Sequence, residues 1–268
     1  MTDSSKTPVT SKVAIIAMTA VLYTVAKAAT GYVPTPWGVG QLLIGIFVPA
    51  FFAVVCDTWS VAIGAGLGTF IGDSLFLTPA GSTNPALSLI AGVPANFVAF
   101  LLFGWFVKRY RSWNGFVAAT VSFVTLGNLI AATSIVLFGA SVFTALKPLV
   151  ASYYSVALIF GFTFFWTVTM VPIIIVVVPF LVRAVKPLKG RSTIISNIPA
   201  WSETGVRTSV LVSTAISLVL IGLAILYLPG VVGLSGYPRL TDDIALGIVG
   251  LVIVVPAASV MISSARKS

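Results

Sequence analysis

The residues able to do chemistry in this chain are few, and several lie inside apolar runs. Asp73 closes the stretch Gly64-Ala65-Gly66-Leu67-Gly68-Thr69-Phe70-Ile71-Gly72. A carboxylate at such a depth needs a partner or a wet cavity. Lys27, within the first apolar run, lies at similar depth and could neutralise it. The two make either a neutral structural pair or part of a polar cavity. Asn96 and Asn128 sit in later apolar runs, where an amide either lines such a cavity or hydrogen-bonds across helices. Gln41, Asn84 and Lys147 belong to segments between the runs, as does Trp37, and Tyr153 opens a later run. Trp37 and Tyr153 each read as an interfacial belt residue or as a ring covering a bound solute. The chemistry this set supports is recognition of a small solute by amides, aromatic rings and one ion pair.

Catalysis by familiar routes is excluded by what is missing. There is no histidine and one cysteine, Cys56. That removes an internal disulfide, a Cys/His zinc site and any triad that uses histidine. No Gly-x-x-x-x-Gly-Lys-Ser/Thr is present, so the chain has no P-loop with which to bind ATP. No Gly-x-Ser-x-Gly or acid cluster offers a nucleophile beside a base. An enzyme is not expected, nor a metal or cofactor.

The elements that must position these residues are membrane helices. Of 268 residues 58% are hydrophobic and 8% charged, with a mean hydropathy of +1.11. Soluble domains carry about 25% charged residues. An all-α, polytopic membrane protein is expected. Residues 1–12 form a polar cytoplasmic tail, 13–188 a membrane core of six helices, 189–208 a basic connector and 209–268 two further helices. Ala26-Lys27-Ala28-Ala29 offers small residues at a possible signal cleavage point, but the apolar stretch runs past it and more follow, which favours a retained first helix. Pro34-Thr35-Pro36-Trp37-Gly38 breaks that helix. Helix 2 is predicted over about Leu42–Val55, helix 3 over Ser60–Leu77, helix 4 over Ala86–Val107, helix 5 over Gly115–Phe138, and helix 6 over Tyr153–Val185 with kinks at Pro172 and Pro179.

Glycine weakens a helix in water, so Gly64, Gly68 and Gly72 on one face imply close approach of a neighbouring helix. Ala20, Thr24 and Ala28, with Ala17 nearby, give helix 1 a comparable small-residue surface. The net charge of +9 falls between helices and at the ends. With both termini cytoplasmic, of the fifteen Lys and Arg only Lys27, Lys147 and Arg239 escape the inner segments. This is the distribution that sets topology in a cell membrane, and the basic residues lack the aromatic interleaving used for nucleic acid.

The Pro-rich loop after helix 1, Val48-Pro49-Ala50-Phe51-Phe52-Ala53, the glycine-spaced helix ending in Gly72-Asp73, Gly92-Val93-Pro94-Ala95-Asn96 and Gly104-Trp105-Phe106-Val107-Lys108-Arg109 lead to one family. Over about 13–188 the chain resembles the S components, the substrate-binding membrane subunits of energy-coupling factor (ECF) vitamin and micronutrient importers. The resemblance implies a six-helix core that binds one vitamin-like molecule near its outer face. Trp37, Gln41, Asp73, Asn84, Asn96, Asn128, Lys147 and Tyr153 are the candidate substrate residues, and the first loop the lid. It also implies docking of helix 1, through Ala17, Ala20, Thr24 and Ala28, on a transmembrane coupling subunit driven by ATPase subunits. The two C-terminal helices depart from the family pattern. The alternative is a self-sufficient secondary transporter coupled to protons or sodium through Asp73.

Overall fold

A computed structural model describes residues 7–31, 35, 40–75, 84–152, 155–202, 261–262 and 265. Trp37, Tyr153 and the two helices expected over 209–268 lie outside these, apart from the short C-terminal pieces. The fold is all-α, with no strand among the described residues. Helix α1 spans Val9–Thr30, α2 Ile44–Val55, α3 Thr58–Leu75, α4 Pro85–Arg109, α5 Trp113–Val142, α6 Lys147–Ser152 and α7 Ser155–Ala184. Four of these, α1, α4, α5 and α7, are long and apolar enough to cross a membrane.

Two helices of the expected core fall outside that group for physical reasons. The first turn of α2, Ile44–Ile46, is a 3-10 turn, and the whole element rises only about 18 Å at 1.5 Å per residue. A bilayer core is roughly 30 Å thick. Helix α3 has 18 residues, but its glycines and Asp73 dilute its hydropathy. Each has its burial inside the protein instead. Val48, Pro49, Ala50, Phe52, Ala53, Val54 and Val55 of α2 are all buried, because α2 packs against α1, α3, α4 and α7 at once. Around it, α1 packs on α3, α3 on α4, α4 on α5 and α5 on α7.

Local signals explain where helices begin. Asn84 caps α4, accepting from the Leu87 N–H at 2.6 Å, with Pro85 in the first turn. Ser112 caps α5 through the Gly115 N–H at 3.0 Å. Asp57 accepts from the Ser60 N–H at 2.9 Å and its hydroxyl at 2.7 Å at the start of α3. Pro172 and Pro179 lie inside α7 without ending it. Two π-turns, Ser88–Gly92 in α4 and Ile135–Gly139 in α5, lie against each other. Such turns add one residue to the helical circuit and recur at functional sites.

One end of the bundle is basic. Lys108 donates to the Cys56 carbonyl and, at 2.7 Å, to the Thr58 hydroxyl, joining the end of α4 to the α2–α3 turn. The segment that reads as a connector is fastened there. The backbone N–H groups of Ser196 and Asn197 donate to the Val55 carbonyl at 2.9 and 3.1 Å. The Asn197 amide donates to the Val54 carbonyl at 2.9 Å and accepts from Arg111 at 2.7 Å. Ser11 donates to Thr193 at 3.0 Å, and Trp201 stacks on Phe116 with centroids 4.5 Å apart. Residues 193–201 thus strap α1, α2 and α5 together and satisfy carbonyls left open at the end of α2.

Candidate functional site

The site begins at the contact between α1 and α3. A Cβ on Gly68 would lie 2.8 Å from the Ala20 carbonyl, so only glycine allows the two backbones this near. Thr24 uses the same approach to donate its hydroxyl to the Gly68 carbonyl at 3.0 Å. One turn on, a Cβ at Gly72 would meet the Lys27 stem at 3.1 Å. The glycine face therefore ends in a slot for the lysine chain. Through it the Lys27 ammonium reaches Asp73 Oδ1 at 2.5 Å, and Ser88 donates to Asp73 Oδ2 at 2.7 Å. Both charged residues are about as buried as the apolar core, at 4% and 5% exposure. Desolvating an ion pair is costly unless its remaining capacity is hydrogen-bonded, and Ser88, set in the π-turn of α4, supplies one such bond.

A cavity of about 90 Å³ opens beside this pair. A water needs only about 10–15 Å³ on the same measure, so the space suits several waters or one small solute. Asn96, Asn128, Gln41 and Trp166 line it with Lys27 and Asp73. Tyr23 donates to Asn96 Oδ1 at 3.3 Å, and Asn96 Nδ2 to the Gly92 carbonyl at 2.9 Å. Asn128 Nδ2 donates to the Thr167 hydroxyl at 3.2 Å. The Trp166 indole N–H donates to the Gln41 carbonyl at 3.0 Å. Gly40, at φ +72°, lets the chain pass the indole, since a Cβ there would lie 2.7 Å from the ring. The Gln41 side-chain oxygen is buried against Gly31 and has no hydrogen-bond partner among the described residues.

Of the residues expected to bind substrate, four come together: Gln41, Asp73, Asn96 and Asn128. Asn84 caps α4 and donates to the Val142 carbonyl at 3.4 Å, and Lys147 is exposed at the start of α6. Neither lines the cavity. Among the docking candidates, Ala20 and Thr24 face inward on α3, Ala28 is half-buried and Ala17 is exposed. The α1 stripe is thus spent largely within the bundle, because the glycines that make α3 thin are its counterpart.

Trp166, Ser88 and Met170 also line the cavity and were not singled out from sequence. Thr163, Thr167 and Met170, with Trp166, recur at helical spacing on the buried side of α7. That polar interruption of an apolar run was the available signal. No protein-family model, curated protein or solved structure matches this chain. The site must therefore be read from its own chemistry. Among the described residues no group of His, Cys, Asp and Glu could hold a metal ion.

At the basic end, outside the cavity, the surroundings of Asp57 and Cys56 move both groups from their ordinary ranges. Burial raises the Asp57 carboxyl, but the Ser60 backbone and hydroxyl donors, with the Lys108 and Lys12 charges, outweigh it and hold Asp57 below the usual carboxylate range. Burial pushes the Cys56 thiol up to about 12 despite the nearby Lys108. A thiol so placed is inert at neutral pH.

Proposed function

We propose that this chain is the substrate-binding membrane subunit of an ECF-type importer, capturing a small vitamin-like solute for uptake driven by partner subunits that hydrolyse ATP. The observation that carries the reading is the cavity walled by α1, α3, α4, α5 and α7, whose polar groups converge from separate helices. Convergent polar groups in a largely apolar recess are the ordinary make-up of a small-molecule site. The absence of a P-loop in the sequence fits a subunit whose energy comes from elsewhere.

On this reading α1 to α5 and α7 form the six-helix core in the cell membrane. The basic end is cytoplasmic, by the rule that Lys and Arg stay inside, and the cavity lies toward the outer face. Ala17 and the exposed side of α1, with Val13, Val21 and Val25, remain for contact with lipid or a coupling subunit. The alternative, a secondary transporter coupled to protons or sodium, draws on one observation: Asp73, a buried carboxylate, borders the cavity. Reconstituted uptake separates them. An S component accumulates solute only with the coupling subunit and ATPases present. Uphill uptake by the purified chain alone, abolished in Asp73→Asn, would establish the alternative.

A further inference from the structure

The polar groups at the cavity differ in how much hydrogen-bonding capacity they have left. The Lys27 ammonium carries three donors and, among the described residues, uses one, on Asp73. Asp73 has both oxygens engaged, by Lys27 and Ser88. Asn128 donates to Thr167, while its carbonyl oxygen accepts nothing among the described residues. The Gln41 side-chain oxygen also lacks a donor among the described residues, but it is sealed against Gly31 and out of an occupant's reach. The cavity therefore holds spare donors on a charged group and a spare acceptor on a neutral one. A buried polar group left unmatched is costly, so the occupant that fits best brings an acceptor for Lys27 and a donor for the Asn128 oxygen.

Charge narrows the class further. Asp73 at 2.5 Å already neutralises Lys27. An anion entering beside the pair would leave a net negative charge in a largely apolar recess, and a cation a net positive one; either is disfavoured. We infer that the cavity selects an uncharged solute presenting a carboxamide or lactam group, its carbonyl oxygen on Lys27 and its N–H toward the Asn128 carbonyl oxygen, with its apolar body against Trp166, Phe100 and Met170. The inference rests on the solute-binding reading above and specifies the ligand chemistry.

Benzamide, benzoate and benzylamine share one ring and differ in the charge of one substituent. Equilibrium dialysis of each, labelled, against the full chain in nanodiscs at pH 7, with empty nanodiscs as reference, tests the inference. Wild type should retain benzamide at least tenfold more tightly than the other two. Asp73→Asn, which frees the lysine charge, should shift the benzamide-to-benzoate ratio at least tenfold toward benzoate. Lys27→Gln should shift selectivity at least tenfold toward benzylamine, and serves if the first variant does not fold. A wild-type preference for benzoate or benzylamine, no binding of any of the three, or folded variants with unchanged ratios would overturn the inference. If a different solute nevertheless co-purifies with the wild-type chain, the binding function stands and only the ligand class falls. If none co-purifies and none of the three binds, both fall.

Discussion

At the basic end, the carbonyls of Val54, Val55 and Cys56 each accept hydrogen bonds, from Asn197, the 196–197 backbone and Lys108. Asp57 is tied to Ser60. At the cavity, among the described residues, Lys27 keeps donors and Asn128 an acceptor unused. Both regions bury polar groups inside a largely apolar bundle, yet one is closed and the other left open. In an environment where an unmatched polar group is expensive, closure marks a structural joint. Thr19 and Ser122 also bury hydroxyls unmatched among the described residues, so it is unused capacity gathered around a cavity that marks a place built for an occupant.

The comparison can be broken most forcefully at the ion pair. Lys27→Met should destabilise the protein by about 3–5 kcal/mol, since it strands a buried carboxylate. Adding Asp73→Leu to it should recover much of that loss, as seen in unfolding of the detergent-solubilised chain. Full additivity of the two changes would show that the charges do not depend on each other. Next comes the basic-end joint. Trp201→Ala should cost about 3 kcal/mol through lost packing on Phe116 while leaving solute affinity within twofold. A large affinity change would mean that the two ends are coupled rather than separate.

Smaller effects sharpen the contrast. Asp57→Ala should cost about 1 kcal/mol as a lost helix cap. Because the Asp57 carboxyl is held low when folded, its contribution is complete above the unfolded carboxylate range. It should fade as pH falls below about 4 toward the folded value. Stability measured from neutral to acid pH should therefore converge for wild type and the variant; a constant gap would deny the charge a role. The smallest effect concerns Cys56. It should resist maleimide in the folded chain at pH 7 and react after unfolding.

Reading the sequence reached some of this and missed the rest for identifiable reasons. Helices α1, α4, α5 and α7 announce themselves because long apolar runs need no tertiary information. That a neighbouring helix approaches α3 closely was legible in Gly64, Gly68 and Gly72, but not that the neighbour is α1. Their partner surface, Ala20 and Thr24, was legible as small residues but not as the other half of the same contact. Asn84-Pro85 carried a helix-start signature, and the structure uses Asn84 that way and not at the cavity. The strap at 193–201 was illegible because its bonds to α2 run to backbone carbonyls, which no side-chain pattern encodes, and its side-chain contacts reach residues distant in sequence. Trp166 was hidden because α7 is apolar nearly throughout, so its cavity face shows only in sparse threonines.

The central claim is that a small solute occupies the space between Lys27, Asn128 and Trp166. Chain purified under mild conditions, then denatured, should release one such molecule in near-stoichiometric amount by mass spectrometry. Ala131→Phe, which places a ring in the cavity wall, should release at least tenfold less while folding normally. Equal release from both, or none from the wild type, would contradict the account.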